Sequence, residues 1–300
     1  MKYINRITKI FNSSESINID NNSKIIIMSD VHRGDGNSSD SFARNQNIFF
    51  SALSYYYNEN YIYIELGDGD ELWELRNFKD IVREHSDVFW LMSQFYKENR
   101  FYMLFGNHDI IKKNKKFVRE NLYYYYDERL KINIPMFENI DVHEGLILNY
   151  KNEENKIFLI HGHQVDFINY DIWPITRFLV RYLWKPLELY GVNDITRTAK
   201  NHRKKHRVAE MLLEWIRQEK HLLIAGHNHR PSFPDLGILP YFNDGSCVHL
   251  RCITGIEIAN GNIMLVKWSV KTDKNRRLFV ARDILAGPTK LDMYFRYRRV

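Results

Sequence analysis

Apolar residues along this chain gather into short runs that end abruptly on polar clusters. The β-branched run Lys24-Ile25-Ile26-Ile27-Met28 stops at Ser29-Asp30-Val31-His32, as a buried strand does when its carboxyl end feeds a loop. The same pattern recurs along the chain. Residues 61–66 run into Gly67-Asp68, 101–105 into Gly106-Asn107-His108-Asp109, 157–160 into His161-Gly162-His163, and 222–225 into Gly226-His227-Asn228-His229. Helix-patterned stretches such as 40–58 and 86–99 lie between several of these runs. Strands that alternate with helices predict an α/β core whose polar loops collect at the strand ends.

Other segments follow different periods. Residues 255–268 alternate apolar and polar positions around Asn260-Gly261, which predicts a β-hairpin, and strands so late in the chain suggest a second sheet closing over the first. From 166 to 220 the chain turns helical and aromatic, with Phe167, Trp173, Phe178, Tyr182, Trp184 and Tyr190 ahead of a basic stretch from Arg197 to Arg207. This stretch separates two of the polar-ended runs. It predicts a helical cap insertion, 167–220, within a single domain of residues 1–300. The short run Tyr123 to Tyr126 is read as a packed helix face.

Composition narrows the picture only slightly. The 300 residues are 44% hydrophobic, enough for a sizeable core, and a formal charge of +6 biases the chain mildly towards anionic partners without specifying nucleic acid. Two cysteines, Cys247 and Cys252, make neither a disulfide framework nor a zinc site and are expected as packing residues in a reducing cytosol. Ile4, Ile7, Ile10 and Phe11 stand at helical spacing with no export-type apolar stretch, and no run approaches the ~20 residues of a membrane span. A cytoplasmic location follows as an expectation.

The polar clusters carry the chemistry. Carboxylates, imidazoles and one carboxamide, without thiolates, suit a divalent metal of intermediate hardness. Asp30-x-His32 offers a chelating pair, Asp68 an anionic bridge, and His227-x-His229 two imidazoles at once. Each cluster alone is common in ordinary loops; five in succession, each after a β-run, are not. Histidines outside these clusters (His85, His143, His202, His206, His221 and His249) are expected to be structural or surface groups.

Five motifs, SDVH (29–32), GDGDE (67–71), GNHD (106–109), HGH (161–163) and GHNH (226–229), resemble the successive signatures of the calcineurin-like metallophosphoesterase superfamily over roughly residues 24 to 270. The resemblance implies a four-layer αββα sandwich with a two-metal centre. Asp30, His32 and His229 would hold one ion, Asn107, His161 and His227 the other, and Asp68 would bridge both. In HGH, strand parity and position favour His161, with His163 assisting or replacing it as the alternative. His108 would steady a phosphoryl oxygen or protonate the leaving group, with Asp109 as its orienting partner. Arg33 and Asn107 are candidates for binding substrate phosphate, and Asp70 for an outer carboxylate or a loop cap.

The stretch 67–74 lacks the Asp-Arg-Gly of the protein phosphatases and, with 225–231, is closer to the bacterial branch that includes the UDP-2,3-diacylglucosamine pyrophosphatases. What this implies is a hydrolase that uses metal-bound hydroxide to cleave a phosphoester or diphosphate of a small or amphipathic anionic substrate, lipid-linked substrates included. Manganese is the first expectation for the metal, with iron, zinc or cobalt as alternatives. The basic cap adds a peripheral contact with an anionic membrane surface at its inner face. The rival activities are a broad phosphomonoesterase and a cyclic-nucleotide or nuclease-type phosphodiesterase. A non-enzymatic scaffold of the same fold would be expected to have lost ligands, and all seven are present.

Overall fold

The structure is a computed structural model that describes residues 2–37, 40–127, 130–184 and 202–297. Its strands are β1 (Glu15–Ile19), β2 (Ile25–Met28), β3 (Ile62–Leu66), β4 (Phe101–Leu104), β5 (Tyr124–Asp127), β6 (Ile132–Pro135), β7 (Val142–His143), β8 (Gly145–Tyr150), β9 (Lys156–Ile160), β10 (Leu222–Ala225), β11 (Tyr241–Asn243), β12 (Cys252–Ala259), β13 (Asn262–Thr272) and β14 (Leu278–Lys290). The helices are α1 (Lys2–Ser13), α2 (Gln46–Asn58), α3 (Phe78–Glu84), α4 (Ser86–Lys97), α5 (Lys115–Asn121), α6 (Phe167–Tyr170), α7 (Trp173–Leu179), α8 (His202–Glu219) and α9 (Leu291–Tyr297).

Two sheets face each other. One has seven strands in the order β14-β13-β12-β2-β3-β4-β7, the other five in the order β1-β8-β9-β10-β11. The tripeptide-like runs of Ile and Leu are buried on both faces, which is why they read as continuous apolar stretches rather than as alternating ones. Between the sheets pack Ile25, Ile27, Ile64, Leu66 and Leu104 from one side and Leu146, Leu148, Ile157, Leu159, Leu222 and Ile224 from the other. The opposite residues of the same strands, such as Ile26, Tyr63 and Met103, meet α2 and α4. On the far side, Phe158, Ile160, Leu223 and Ala225 meet Ile7, Ile10 and Phe11 of α1 and Val208, Leu212, Trp215 and Ile216 of α8. The layers are therefore helix, sheet, sheet, helix, as the αββα expectation required.

Three sequence expectations change. The late hairpin, β12 to β14, does not make the opposing sheet; β12 pairs antiparallel with β2 and extends the first sheet. The opposing sheet comes from β1 and β8 to β11 instead, because the alternation that marks a hairpin does not say which edge it joins. Tyr124 and Tyr126 lie on the β5–β6 hairpin with exposed rings rather than on a packed helix face. From Val208 onward α8 is a layer of the sandwich, so only the part of the insertion ahead of it is free to act as a cap.

Of that part, the side chains of Phe167, Trp184, Tyr190, Arg197, Arg203, Lys204 and Lys205 lie outside the described residues, while Arg207 is exposed. Residues 173–184 run along the loop after β3. There Arg181 donates to the carbonyls of Leu72, Trp73 and Leu75 at 2.8–2.9 Å, and Arg76 contacts the Tyr182 hydroxyl. Among the described residues no helix is long and apolar enough to cross a membrane.

Candidate metal centre

Parallel strands side by side put their carboxyl ends in a row, so loops far apart in sequence become neighbours. The backbone ladder continues past the strands here: Asp30 N donates to Gly67 O, His32 N to Asp68 O, and Gly226 N to His161 O, at 2.9–3.1 Å. Two bonds then cross between the sheets. His227 N donates to Asp30 Oδ2 at 2.8 Å, and His161 Nδ1 donates to Leu66 O at 2.9 Å.

The local backbone is strained where the ligands sit. Asp30, His32, Asp68, His227 and His229 all have φ between 50° and 65°, the left-handed region that non-glycine residues rarely occupy. Each such residue costs of order 1–3 kcal/mol, which the surrounding ladder has to hold in place. Two glycines make the close approach feasible. A Cβ on Gly106 would lie 2.1 Å from Asp68 Oδ1, and one on Gly226 would lie 2.2 Å from Ser29 Oγ.

Six of the seven predicted ligands converge at the end of the facing sheets, and Asn107 is buried on the loop after β4, whose His108 N donates to Asp68 Oδ1 at 2.7 Å. His229 Nε2 lies 2.9 Å from Asp30 Oδ1 and 3.4 Å from His32 Nε2, and His32 Nε2 is 3.8 Å from Asp30 Oδ1. On the other side Asp68, His161 and His227 bring ligand atoms within 4.8 Å of one another. Asp68 Oδ2 stands between the two groups, 3.2 Å from His161 Nε2 and 3.9 Å from His32 Nε2.

Buried polar atoms without a hydrogen bond mark where a ligand belongs. They include Asp30 Oδ1, Asn107 Oδ1, His161 Nε2 and His227 Nε2, each an atom suited to bind a cation. The tautomers agree. A carbonyl takes the Nδ1 proton of His161 and a carboxylate that of His32, which leaves both Nε2 lone pairs for a metal. His163 is buried beside His161 and His227, with ring centroids 5.4 and 6.4 Å away, and neither of its nitrogens is hydrogen-bonded. His161, which faces Asp68, is the better placed of the two.

Charge is set by mutual proximity. Burial pushes the Asp68 carboxyl up, but the imidazoles of His161 and His108 outweigh it and hold the group below the usual carboxylate range. Burial likewise opposes a charge on His161, yet Asp68 and Asp30 raise its pKa to about 9. His163 goes the other way, kept neutral by burial and by His161 and His227.

Two predicted residues do other work. Arg33 is fully buried; its guanidinium donates to Glu65 at 2.7 and 2.9 Å and to Asp70 at 2.7 Å, so it braces the loop after β3 and does not face a substrate. Lys112 joins this network, 2.6 Å from Asp70 and 2.8 Å from Asp109. Asp109 accepts from Gly106 N and Gly69 N and does not touch His108. The partner of His108 is Glu71, whose Oε1 lies 2.8 Å from His108 Nδ1 while its Oε2 lies 3.0 Å from His32 Nδ1. One carboxylate thus orients two imidazoles, and Trp73 stacks on the His108 ring at 4.6 Å. The sequence signal for Glu71 was its place three residues after Asp68, within a motif already recognised.

Crystal structures of Chaetomium thermophilum Vps29, alone and complexed with a cyclic peptide, cover 88% of the chain and 96% and 95% of their own, at 11% and 10% identity and TM-scores of 0.39 and 0.36. No curated protein sequence is significantly similar to the chain. The family model described as calcineurin-like phosphoesterase matches residues 23–257, the span that holds every ligand-bearing strand end. Metal-dependent phosphoester hydrolysis is what that family implies, and with most of its length matched the chain belongs to the calcineurin-like phosphoesterases.

Proposed function

We propose that the chain is a dinuclear metal-dependent phosphohydrolase acting on a phosphoester or diphosphate bond of a small or amphipathic anionic substrate. The observation that carries this reading is the set of buried ligand atoms without a hydrogen bond, His161 Nε2 and His227 Nε2 grouped with Asp68, Asp30 Oδ1 grouped with His32 and His229, and Asn107 Oδ1. Asp30, His32 and His229 would hold one ion, Asn107, His161 and His227 the second, with Asp68 shared; manganese is the first choice, and iron, zinc or cobalt fit the same donors. Held by these residues, two divalent ions would supply a water of lowered pKa and stabilise the charge that develops on the phosphoryl oxygens.

The protein's own groups do the rest. His108, its Nδ1 proton held by Glu71, presents Nε2 for a phosphoryl or leaving-group oxygen. Glu71 keeps that ring and the ring of His32 in fixed orientations, so substrate contact and metal ligation are set by one side chain. Around the centre, Phe178 and Tyr182 are exposed beside Arg177 and Arg76, a mixture of apolar and cationic groups that favours a substrate with both an anionic head and an apolar part. This rim supports a phosphorylated small-molecule or lipid-linked substrate and a cytoplasmic enzyme that touches the inner face of the membrane through the cap; His108 stands where the similar UDP-2,3-diacylglucosamine pyrophosphatases have Arg, so their substrate does not carry over.

Elemental analysis of the purified protein, followed by a panel of phosphomonoesters, phosphodiesters and nucleotide diphosphates, tests the reading. Two equivalents of transition metal and turnover on one class are expected. Protein that takes up no metal and turns over none of the panel would overturn it.

A further inference from the structure

Behind the ligand Asp30 lies a second buried carboxyl that neither the motifs nor the proposed chemistry uses. Asp244 follows β11, is fully buried, and its Oδ1 lies 2.8 Å from the Ser29 hydroxyl oxygen; the same hydroxyl touches Asp30 Oδ2. A hydroxyl has one proton, and two ionised carboxylates would both need it. One of the two must therefore bring a proton of its own.

Geometry decides which. Asp30 Oδ2 also accepts the backbone N–H of His227 at 2.8 Å, as an ionised carboxylate would, and Asp30 Oδ1 is left free for the ion. Asp244 has no such company: its Oδ2 makes no hydrogen bond, and its backbone N–H is spent on Ala225 O. Burial and the neighbouring Asp30 charge also hold the Asp244 carboxyl well above its usual range. The chain of donation then runs from Asp244 to Ser29 Oγ, and from Ser29 to Asp30 Oδ2.

We propose that Asp244 is a positioning residue of the metal centre, fixing Asp30 through the Ser29 hydroxyl so that one oxygen is pinned and the other is turned to the ion. This rests on the dinuclear reading above. Gly226 packs directly against the pair, since a Cβ there would lie 2.2 Å from Ser29 Oγ and 2.8 Å from Asp30 Oδ2. Outer partners of metal ligands of this kind change affinity by about 10–100-fold when removed.

The test is calorimetric titration of Mn²⁺ into the metal-free full-length protein, with circular dichroism to confirm folding. Asp244→Asn keeps a donor for Ser29 and should bind within about threefold of wild type, whereas Asp244→Ala and Ser29→Ala should each weaken one of the two Mn²⁺ ions by about 10–100-fold. Wild-type affinity in folded Asp244→Ala overturns the proposal, as does a loss in Asp244→Asn equal to that in Asp244→Ala. If Asp244→Ala does not fold, Ser29→Ala decides alone, and unchanged affinity there is refutation. Wild-type protein that binds none of Mn²⁺, Fe²⁺, Zn²⁺ and Co²⁺ sinks the proposed function itself and this inference with it.

Discussion

The metal centre and the rim beside it are built on opposite principles. In the centre, ligands sit on strained backbone between two buried sheets, tied to one another by backbone bonds such as His227 N to Asp30 Oδ2, with several ligand atoms left without a hydrogen bond. The rim, residues 173–184, exposes Ile175, Phe178 and Tyr182 and reaches the loop after β3 largely through one side chain, Arg181. A site held by many mutually dependent contacts responds to substitution in an all-or-none way. A segment held by few can change what binds without changing the chemistry.

The sharpest test of the centre is its bridge. Asp68→Asn should abolish turnover and lower the content of both metals in elemental analysis, since Asp68 is the ligand proposed to be shared by the two ions. Two tightly held ions and near-normal activity in that variant would mean that the sides do not depend on each other.

Next in size is His108→Ala, for which kcat should fall by ~10²–10⁴, the usual range for a positioned acid, at unchanged metal content. The loss should shrink for a substrate with a good leaving group such as p-nitrophenol if His108 donates the proton. Glu71→Gln separates the two roles further. Because Glu71 holds both His108 and His32, this change should lower kcat and Mn²⁺ affinity together, and an effect on kcat alone would assign Glu71 to His108 only.

A pH series sharpens the same point. His161, with its pKa raised to about 9 by Asp68 and Asp30, carries a proton at neutral pH that a metal must displace. Mn²⁺ affinity should therefore rise with pH, by up to about tenfold per unit for this group, and level off above its pKa. The metal-free protein should show the opposite trend from this group. A raised histidine pKa contributes stability that is present in full below the unfolded value and is lost as pH rises through about 9. Thermal melts with and without metal across that range read both signs, and parallel trends would contradict the assignment.

The smallest effect is expected at the rim. Arg181→Met removes three hydrogen bonds to the loop carrying Trp73, and hydrogen exchange at 72–76 should quicken by about tenfold, for a local loss of about 1–2 kcal/mol. KM should rise with kcat on a small phosphoester nearly constant. A fall in kcat as large as that of His108→Ala would show that the rim belongs to the catalytic machinery, and the contrast would fail.

Much of this molecule was legible in one dimension. Apolar runs ending on Asp, Asn, Gly and His marked the strand ends, because a strand buried on both faces needs continuous apolar side chains and its ligands can sit only where the run stops. The ligand types followed from donor chemistry, and their order from a recognised family pattern. What the sequence could not carry was who stands beside whom. Asp109 follows His108 directly, yet Glu71 orients it, because neighbouring parallel strands bring the loops after β3 and β4 together while the turn at Gly106 points Asp109 back at its own backbone. Arg33 follows a ligand directly and is still buried, since two carboxylates, Glu65 and Asp70, await it on the next strand and its loop. Asp244 carried no motif at all. Its role depends on β11 and β2, strands of different sheets, ending at the same Ser29 hydroxyl, and that proximity exists only once the apolar faces between the sheets have closed.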